Sequence, residues 1–159
     1  MTPAPGLTVV NGPSLGELGG REPAHYGSLT LDRLEEMIRL RADEEGVPVS
    51  FFQSDVEGEI VRAVNAASGR SMGLIINPAA YSHYSIAIMD AMRAFRGPVV
   101  EVHLSRIFDR ESFRRELVTA SAADAFIAGA GARGYLLALD ILLELNSKKD
   151  GGMVSANQQ

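Results

Sequence analysis

An α/β fold built on one doubly wound parallel sheet is predicted by three observations in this sequence. Short β-rich runs alternate with longer helical patterns, the signature of βαβ units around a parallel sheet. The gaps between the runs supply four or five crossover helices for five strands. The chain of 159 residues shows no internal repeat and no interdomain linker, which fits one domain with a core of its own.

The strand runs are LTVVN (7–11), VSFFQ (49–53), GLIIN (73–77), VVEVH (99–103) and DAFIAG (124–129). Thr30 is placed to cap a helix whose Leu31, Leu34 and Ile38 share a face, with Asp32 at its positive end and Gly46 as its stop. A second helix is expected from Ser54 or Asp55, presenting Ile60, Val61 and Val64. A third is expected from about Ser82 to Phe95, and a short fourth around Phe113 and Leu117. The last covers GYLLALDILLEL, 134–145. From about Ser147 the chain is polar with nothing to bury, so the expectation is a single domain over 1–146 and a disordered tail over 147–159. Five strands with these crossovers make a flavodoxin-like, doubly wound five-stranded parallel sheet the most economical fold.

Composition removes several classes of function. With 46% hydrophobic and 22% charged residues and no apolar run near the roughly 18 residues of a span, no membrane partner is expected. MTPAPG has neither the basic start nor the apolar stretch of a secretory signal, which points to a cytoplasmic protein. No cysteine is present, excluding disulfides, thiolate zinc sites and thiol nucleophiles. The net charge of −5 leaves no footprint for nucleic acid. Lys148 and Lys149 are the only lysines, both in the polar tail, so Schiff-base catalysis has no candidate in the folded body. His25, His83 and His103 lie in separate elements without H-x-x-x-H spacing, and no metal is expected. No Ser-His-Asp arrangement stands out.

Doubly wound sheets place ligands outside the carboxyl ends of their strands, where this chain has Asn11, Gln53, Asn77 and His103. The stretch VNGPSLGELGGREPAHYG (10–27), with five glycines, matches neither a Walker sequence nor a dinucleotide fingerprint. Its length suits a lid, and it reads equally as an ordinary loop. Within it, a guanidinium at Arg21 near the phenol of Tyr26 would lower that phenol from its ordinary pKa of about 10 and make it a feasible base. A ring packed on the surface and a solvated arginine are the plainer alternative. His83 falls at a helix start beside a strand end, a place that also suits a structural histidine. In EVHLS (101–105), strand alternation puts Glu101 and His103 on one side. The carboxylate can then hold one ring nitrogen while the other faces substrate, as a general acid requires; a buried ion pair is the other reading. Ser105 and the amides after the strand could bind a carboxylate, with Arg114 one turn on to neutralise it.

Taken together, NGPSLGELGGREPAHYG, FFQSDVEGEIV, IINPAAYSHYSIAIMDA, VVEVHLS, ESFRR and GARGYLLAL stand in the order and spacing of one family. Over about residues 7–145 the chain resembles the type II 3-dehydroquinate dehydratases. The resemblance implies a flavodoxin-like protomer in a homo-oligomer, a dodecamer of trimers, with no cofactor and no metal. It implies a small-molecule substrate and the trans elimination of water from 3-dehydroquinate to give 3-dehydroshikimate, in the shikimate route or in quinate breakdown. By the same resemblance Tyr26 would be the base, Arg21 its activator, and Asn11 would help hold the enolate oxygen through an ordered water. His103, oriented by Glu101 and assisted by Asn77, would protonate the departing hydroxyl. Ser105 and the Leu104 amide would take the substrate carboxylate, His83 and Arg114 would bind ring hydroxyls, and Asp90 would reach the substrate from a neighbouring subunit.

The pattern also departs from the family. NGPNLN appears as NGPSLG, so Ser14 and Gly16 replace asparagines; NPGAYTH appears as NPAAYSH, with Ala79 for glycine. After Ser105 the family's Asn-Ile-His-Ala is Arg106, Ile107, Phe108 and Asp109. Two other readings accompany the dehydratase: a diverged dehydratase of a related cyclic hydroxy-keto acid, and a non-catalytic binding module on the same fold.

Overall fold

The computed structural model describes residues 5–20 and 27–155, with side chains described as far as Lys149. Five strands, β1 (Gly6–Asn11), β2 (Val49–Gln53), β3 (Ser71–Asn77), β4 (Val99–His103) and β5 (Ala125–Ala128), form one all-parallel sheet in the order β2-β1-β3-β4-β5. The direction of winding reverses at β1, between β2 and β3, and that opens a crevice above the carboxyl ends of β1 and β3. Register carries the sequence there: Asn11 pairs with Gln53 on one side and with Asn77 on the other, so three side-chain amides stand abreast.

The connecting helices are α1 (Leu31–Glu44), α2 (Glu57–Ala67), α3 (Ile86–Ala94) and α4 (Arg133–Ser155). Strand alternation divides the core into two layers. Leu7, Val9, Ile75, Val100 and Val102 pack on Leu34, Ile38, Tyr135, Leu139 and Leu142 of α1 and α4. Val10, Leu74, Ile76 and Val99 pack on Ile60, Val64, Ile88 and Met92 of α2 and α3. Each fully buried leucine or isoleucine in these layers contributes about 1.5–3 kcal/mol of burial. The Thr30 hydroxyl accepts the Arg33 amide at 3.2 Å, and Gly46 ends the α1 turn at φ 67°. Among the described residues no helix is long and apolar enough to cross a membrane.

Besides strand ends that move by one or two residues, four helical expectations differ from the structure. The helix expected from Ser54 or Asp55 begins at Glu57, because the Ser54 hydroxyl is already engaged with the Val56 amide and the Glu59 carboxylate. The helix expected from Ser82 begins at Ile86: Ala79–His83 form a 3-10 turn in which Ser82 Oγ donates to the Ala79 carbonyl, and Ser85 is the cap instead, its Oγ accepting from Ile88 at 3.0 Å. The short helix around Phe113 is a single 3-10 turn, Ser112–Arg115, that leaves Leu117 out. The last helix, expected to end at Leu145, continues to Ser155, with Lys148 paired to Glu144 one turn back at 2.7 Å and Ser147 bonded to the Glu144 carbonyl.

Candidate active site

β1 and β3 leave the sheet side by side, and the Gly12 amide donates to the Asn77 carbonyl at 2.8 Å to join the two exits. The loop after β1 is held from the neighbouring strand end: Gln53 Nε2 donates to the Gly12 carbonyl and to Asp55 Oδ1, and Asp55 Oδ1 also accepts the Ser14 amide at 2.8 Å. Ser14 sits at φ 65° and Ala79 at φ 52°, the two described residues other than glycine in the left-handed region. These are two of the positions where the sequence departs from asparagine and glycine. A side chain there costs about 1–2 kcal/mol, partly offset by the greater chain entropy that glycine loses on folding. Ala79→Gly is therefore expected to stabilise the protein by about 0.5–1 kcal/mol, read as a rise in thermal midpoint of a few degrees. A lower midpoint would show that the Ala79 methyl packs better than its backbone is strained.

Between these loops and the segment after β4 lies a cavity of about 160 Å³. His103 reaches it from the end of β4, buried to 5% exposure, and Nε2 lies 2.8 Å from Oε1 of the fully buried Glu101. The Glu101 oxygen at that distance accepts a hydrogen bond from Nε2–H, so Nδ1 is the ring nitrogen available to the cavity. Phe126 tilts against the ring with centroids 5.5 Å apart and limits its rotation. His83 lines the opposite wall, its Nδ1 2.7 Å from the Glu116 carbonyl, which leaves Nε2 as an acceptor. Burial, then the Arg114 and His103 charges, hold the His83 imidazole below its ordinary range against the pull of that carbonyl, so it is neutral at pH 7.

Ser105 and Leu104 form the floor beyond His103, where the Gly131 amide binds the Leu104 carbonyl at 3.1 Å and fixes the Leu104–Ser105 peptide plane. Arg114 and Arg110 close the far side; Glu111 lies at the rim, accepting from Arg114 Nε at 2.8 Å. Among the described residues that line the cavity there is no carboxylate, while two guanidinium groups and two imidazoles are present. A hollow lined this way favours an anion. A second, larger hollow of about 460 Å³ at the other end of β1 and β2 is walled by Phe51, Phe52, Ala63 and their neighbours, with no group suited to proton transfer.

Of the residues singled out from the sequence, Asn77, His83, His103, Leu104, Ser105 and Arg114 line the cavity, with Glu101 directly behind His103. Asn11 is buried behind the wall rather than in it. Asp90 is exposed on α3 and lies outside the lining. Arg21, Tyr26 and His25 lie outside the described residues. Two cavity-side residues are absent from the sequence reading. Arg110 lies four positions before Arg114 in an extended link ahead of the Ser112–Arg115 turn, and no sequence pattern marks it. Tyr135, fully buried, sends its hydroxyl to the strand-end amides; its signal is a phenol on an otherwise aliphatic helix face, where the oxygen must find a partner.

Residues 5–143 match the family model described as Dehydroquinase class II. The chain belongs to that family. It is 50% identical over 138 residues to a 3-dehydroquinate dehydratase of Bartonella henselae, covering 87% of this chain and 93% of that protein. A 3-dehydroquinate dehydratase of Clostridium botulinum is 47% identical over 137 residues, with 86% and 93% covered. Among solved structures, the type II dehydroquinase from Propionibacterium acnes superposes with a TM-score of 0.84 at 41% identity, covering 87% of this chain and 96% of that one. A 3-dehydroquinate dehydratase-like protein from Bifidobacterium longum superposes less closely, with a TM-score of 0.66 at 31% identity, 90% and 98% covered. The five-stranded order and the two-sided helical cover are those of the class II dehydroquinase fold.

Proposed function

We propose that this dehydroquinase-family chain is a 3-dehydroquinate dehydratase, a hydro-lyase that removes water from 3-dehydroquinate through an enolate to give 3-dehydroshikimate. The observation that carries the reading is His103, backed by Glu101, at the edge of a cavity that Arg110 and Arg114 also line. An elimination next to a ketone needs a base for the α-proton, a donor set for the enolate oxygen and an acid for the departing hydroxide. Tyr26, activated by Arg21, is the proposed base. Asn11, through an ordered water, is the proposed holder of the enolate oxygen, and His103, oriented by Glu101 and assisted by Asn77, is the acid. Proton transfer from His103 leaves its ring neutral with Glu101 still on Nε2, ready to be recharged from solvent. Ser105 and the Leu104 amide take the substrate carboxylate, with His83 and Arg114 on the ring hydroxyls.

The assembly proposed with this activity is a dodecamer of trimers in the cytoplasm, in which Asp90 reaches a neighbour's substrate. Support comes from α3, where Ile86, 61% exposed, and Asp90 stand one turn apart on the open face.

Purified protein mixed with 3-dehydroquinate is expected to develop the ultraviolet absorbance of a conjugated enone, and Tyr26→Phe to lower that rate by about 10²-fold or more. A folded preparation that yields no absorbance would sink this substrate. A Tyr26→Phe protein as fast as the parent would discard the assigned base.

A further inference from the structure

Strand alternation puts Glu101, His103 and one phenylalanine on the same face of the sheet. Val100 and Val102 of β4, with Ala125 and Ile127 of β5, pack into the α1–α4 layer, so Glu101, His103 and Phe126 point the other way. Register then brings them together, with Phe126 abreast of Glu101 and Ala128 abreast of His103. The methyl group of Ala128 is too short to lie over an imidazole. The ring beside His103 is that of Phe126, with centroids 5.5 Å apart and planes at 44°. On this face the α2–α3 layer packs on Val10, Leu74, Ile76 and Val99, none of them beyond the first position of β4. β5 is an edge strand, and Phe126 is 36% exposed there while Glu101 beside it is fully buried. Oε2 of Glu101 has no hydrogen bond among the described residues. A buried carboxyl oxygen without a partner attracts any water that can reach it. Such a water would compete with Nε2–H for the carboxyl group and free the imidazole to turn.

We propose that Phe126 is a positioning residue for His103: its ring closes the sheet edge over the Glu101–His103 hydrogen bond, keeps water from it and holds Nδ1 toward the cavity. Phe126 is outside the cavity's lining and acts through His103. An acid aimed in advance at its leaving group lowers the barrier more than it tightens ground-state binding. In kinetic terms the proposal rests on the dehydratase reading above.

Phe126→Ala opens that edge without removing a polar group. It is expected to lower kcat for 3-dehydroquinate about 5- to 20-fold with KM changed less than about twofold. Phe126→Leu restores apolar bulk and is expected to return kcat to within about threefold of the parent. In the His103→Ala background, Phe126→Ala is expected to cost less than about twofold more, since the group it aims is gone. A Phe126→Ala protein within about twofold of the parent kcat, or losses that multiply in the double variant, would overturn the proposal. If Phe126→Ala does not fold, Phe126→Val takes its place under the same criteria, because a β-branched residue suits the strand while leaving the imidazole uncovered. A second readout needs no substrate. By NMR the His103 Nε2–H proton is expected as a downfield signal that exchanges with water at least about tenfold faster in Phe126→Ala than in the parent. Equal exchange in the two proteins would overturn the seal. Failure of the parent itself to dehydrate would count against the activity and leave the proton exchange to decide the role of Phe126.

Discussion

His103→Ala is expected to lower kcat by about 10²- to 10⁴-fold, the range of a general acid whose leaving group is hydroxide. The same substitution strips Glu101 of its partner. Glu101 is fully buried, and Oε2 already has no bond within the described protein, so removing the imidazole leaves the whole carboxyl group unpaired. Breaking a buried pair from one side costs about 3–5 kcal/mol, and the variant should melt earlier for that reason alone. The two effects separate in the double variant His103→Ala/Glu101→Gln. Its buried group is neutral, so it should recover much of the midpoint while the rate stays low. Recovery of rate along with stability would show that His103 matters for folding and not for proton transfer. Initial rates and thermal melts on the three proteins are sufficient to decide.

Gly12→Ala is the second large effect expected, and it begins in the backbone. A Cβ at position 12 would stand 2.6 Å from the Pro78 carbonyl oxygen and 2.7 Å from its carbon. No rotamer relieves a clash with main chain, so either the β1 exit or the β3 exit must move. Both carry site residues, Asn11 and Asn77, and the 2.8 Å bond from the Gly12 amide to the Asn77 carbonyl is lost first. The cost is expected to reach about 3 kcal/mol in a urea titration, and a shift of about 1 Å at the amides costs about 10²-fold in kcat. A parent-like midpoint and rate would mean that the two exits are free to separate.

Much of this architecture is legible in the sequence because it is local. A run such as GLIIN, buried on both faces, is what a central parallel strand requires, and its last residue is already the strand end. The side shared by Glu101 and His103 follows from a two-residue period. Thr30 works as a cap within its own turn. Ser82 and Ser85 show where locality fails: both are sound caps, and the choice falls to Ser85 because the turn after Pro78 engages the Ser82 hydroxyl. Tyr135 is less legible still. Its helical period marks it as core, which it is, while its hydroxyl partners lie 58 and 124 positions away in the chain. Arg110 shares the difficulty, since its arrival at the cavity depends on how the segment after β4 folds back.

The 124-position span of the Tyr135–Asn11 bond also orders events during biosynthesis. β1 is made early yet occupies an interior place in the sheet, so its ladders wait first for β2 and then for β3. Asn11 waits longer, until α4 has been synthesised and docked. A nascent chain that stops before position 135 already holds all five strands and still lacks the hydroxyl that bonds Asn11. The amide thus acquires that partner only when nearly the whole domain has folded, and a truncated ribosomal product of this protein carries an unfinished crevice.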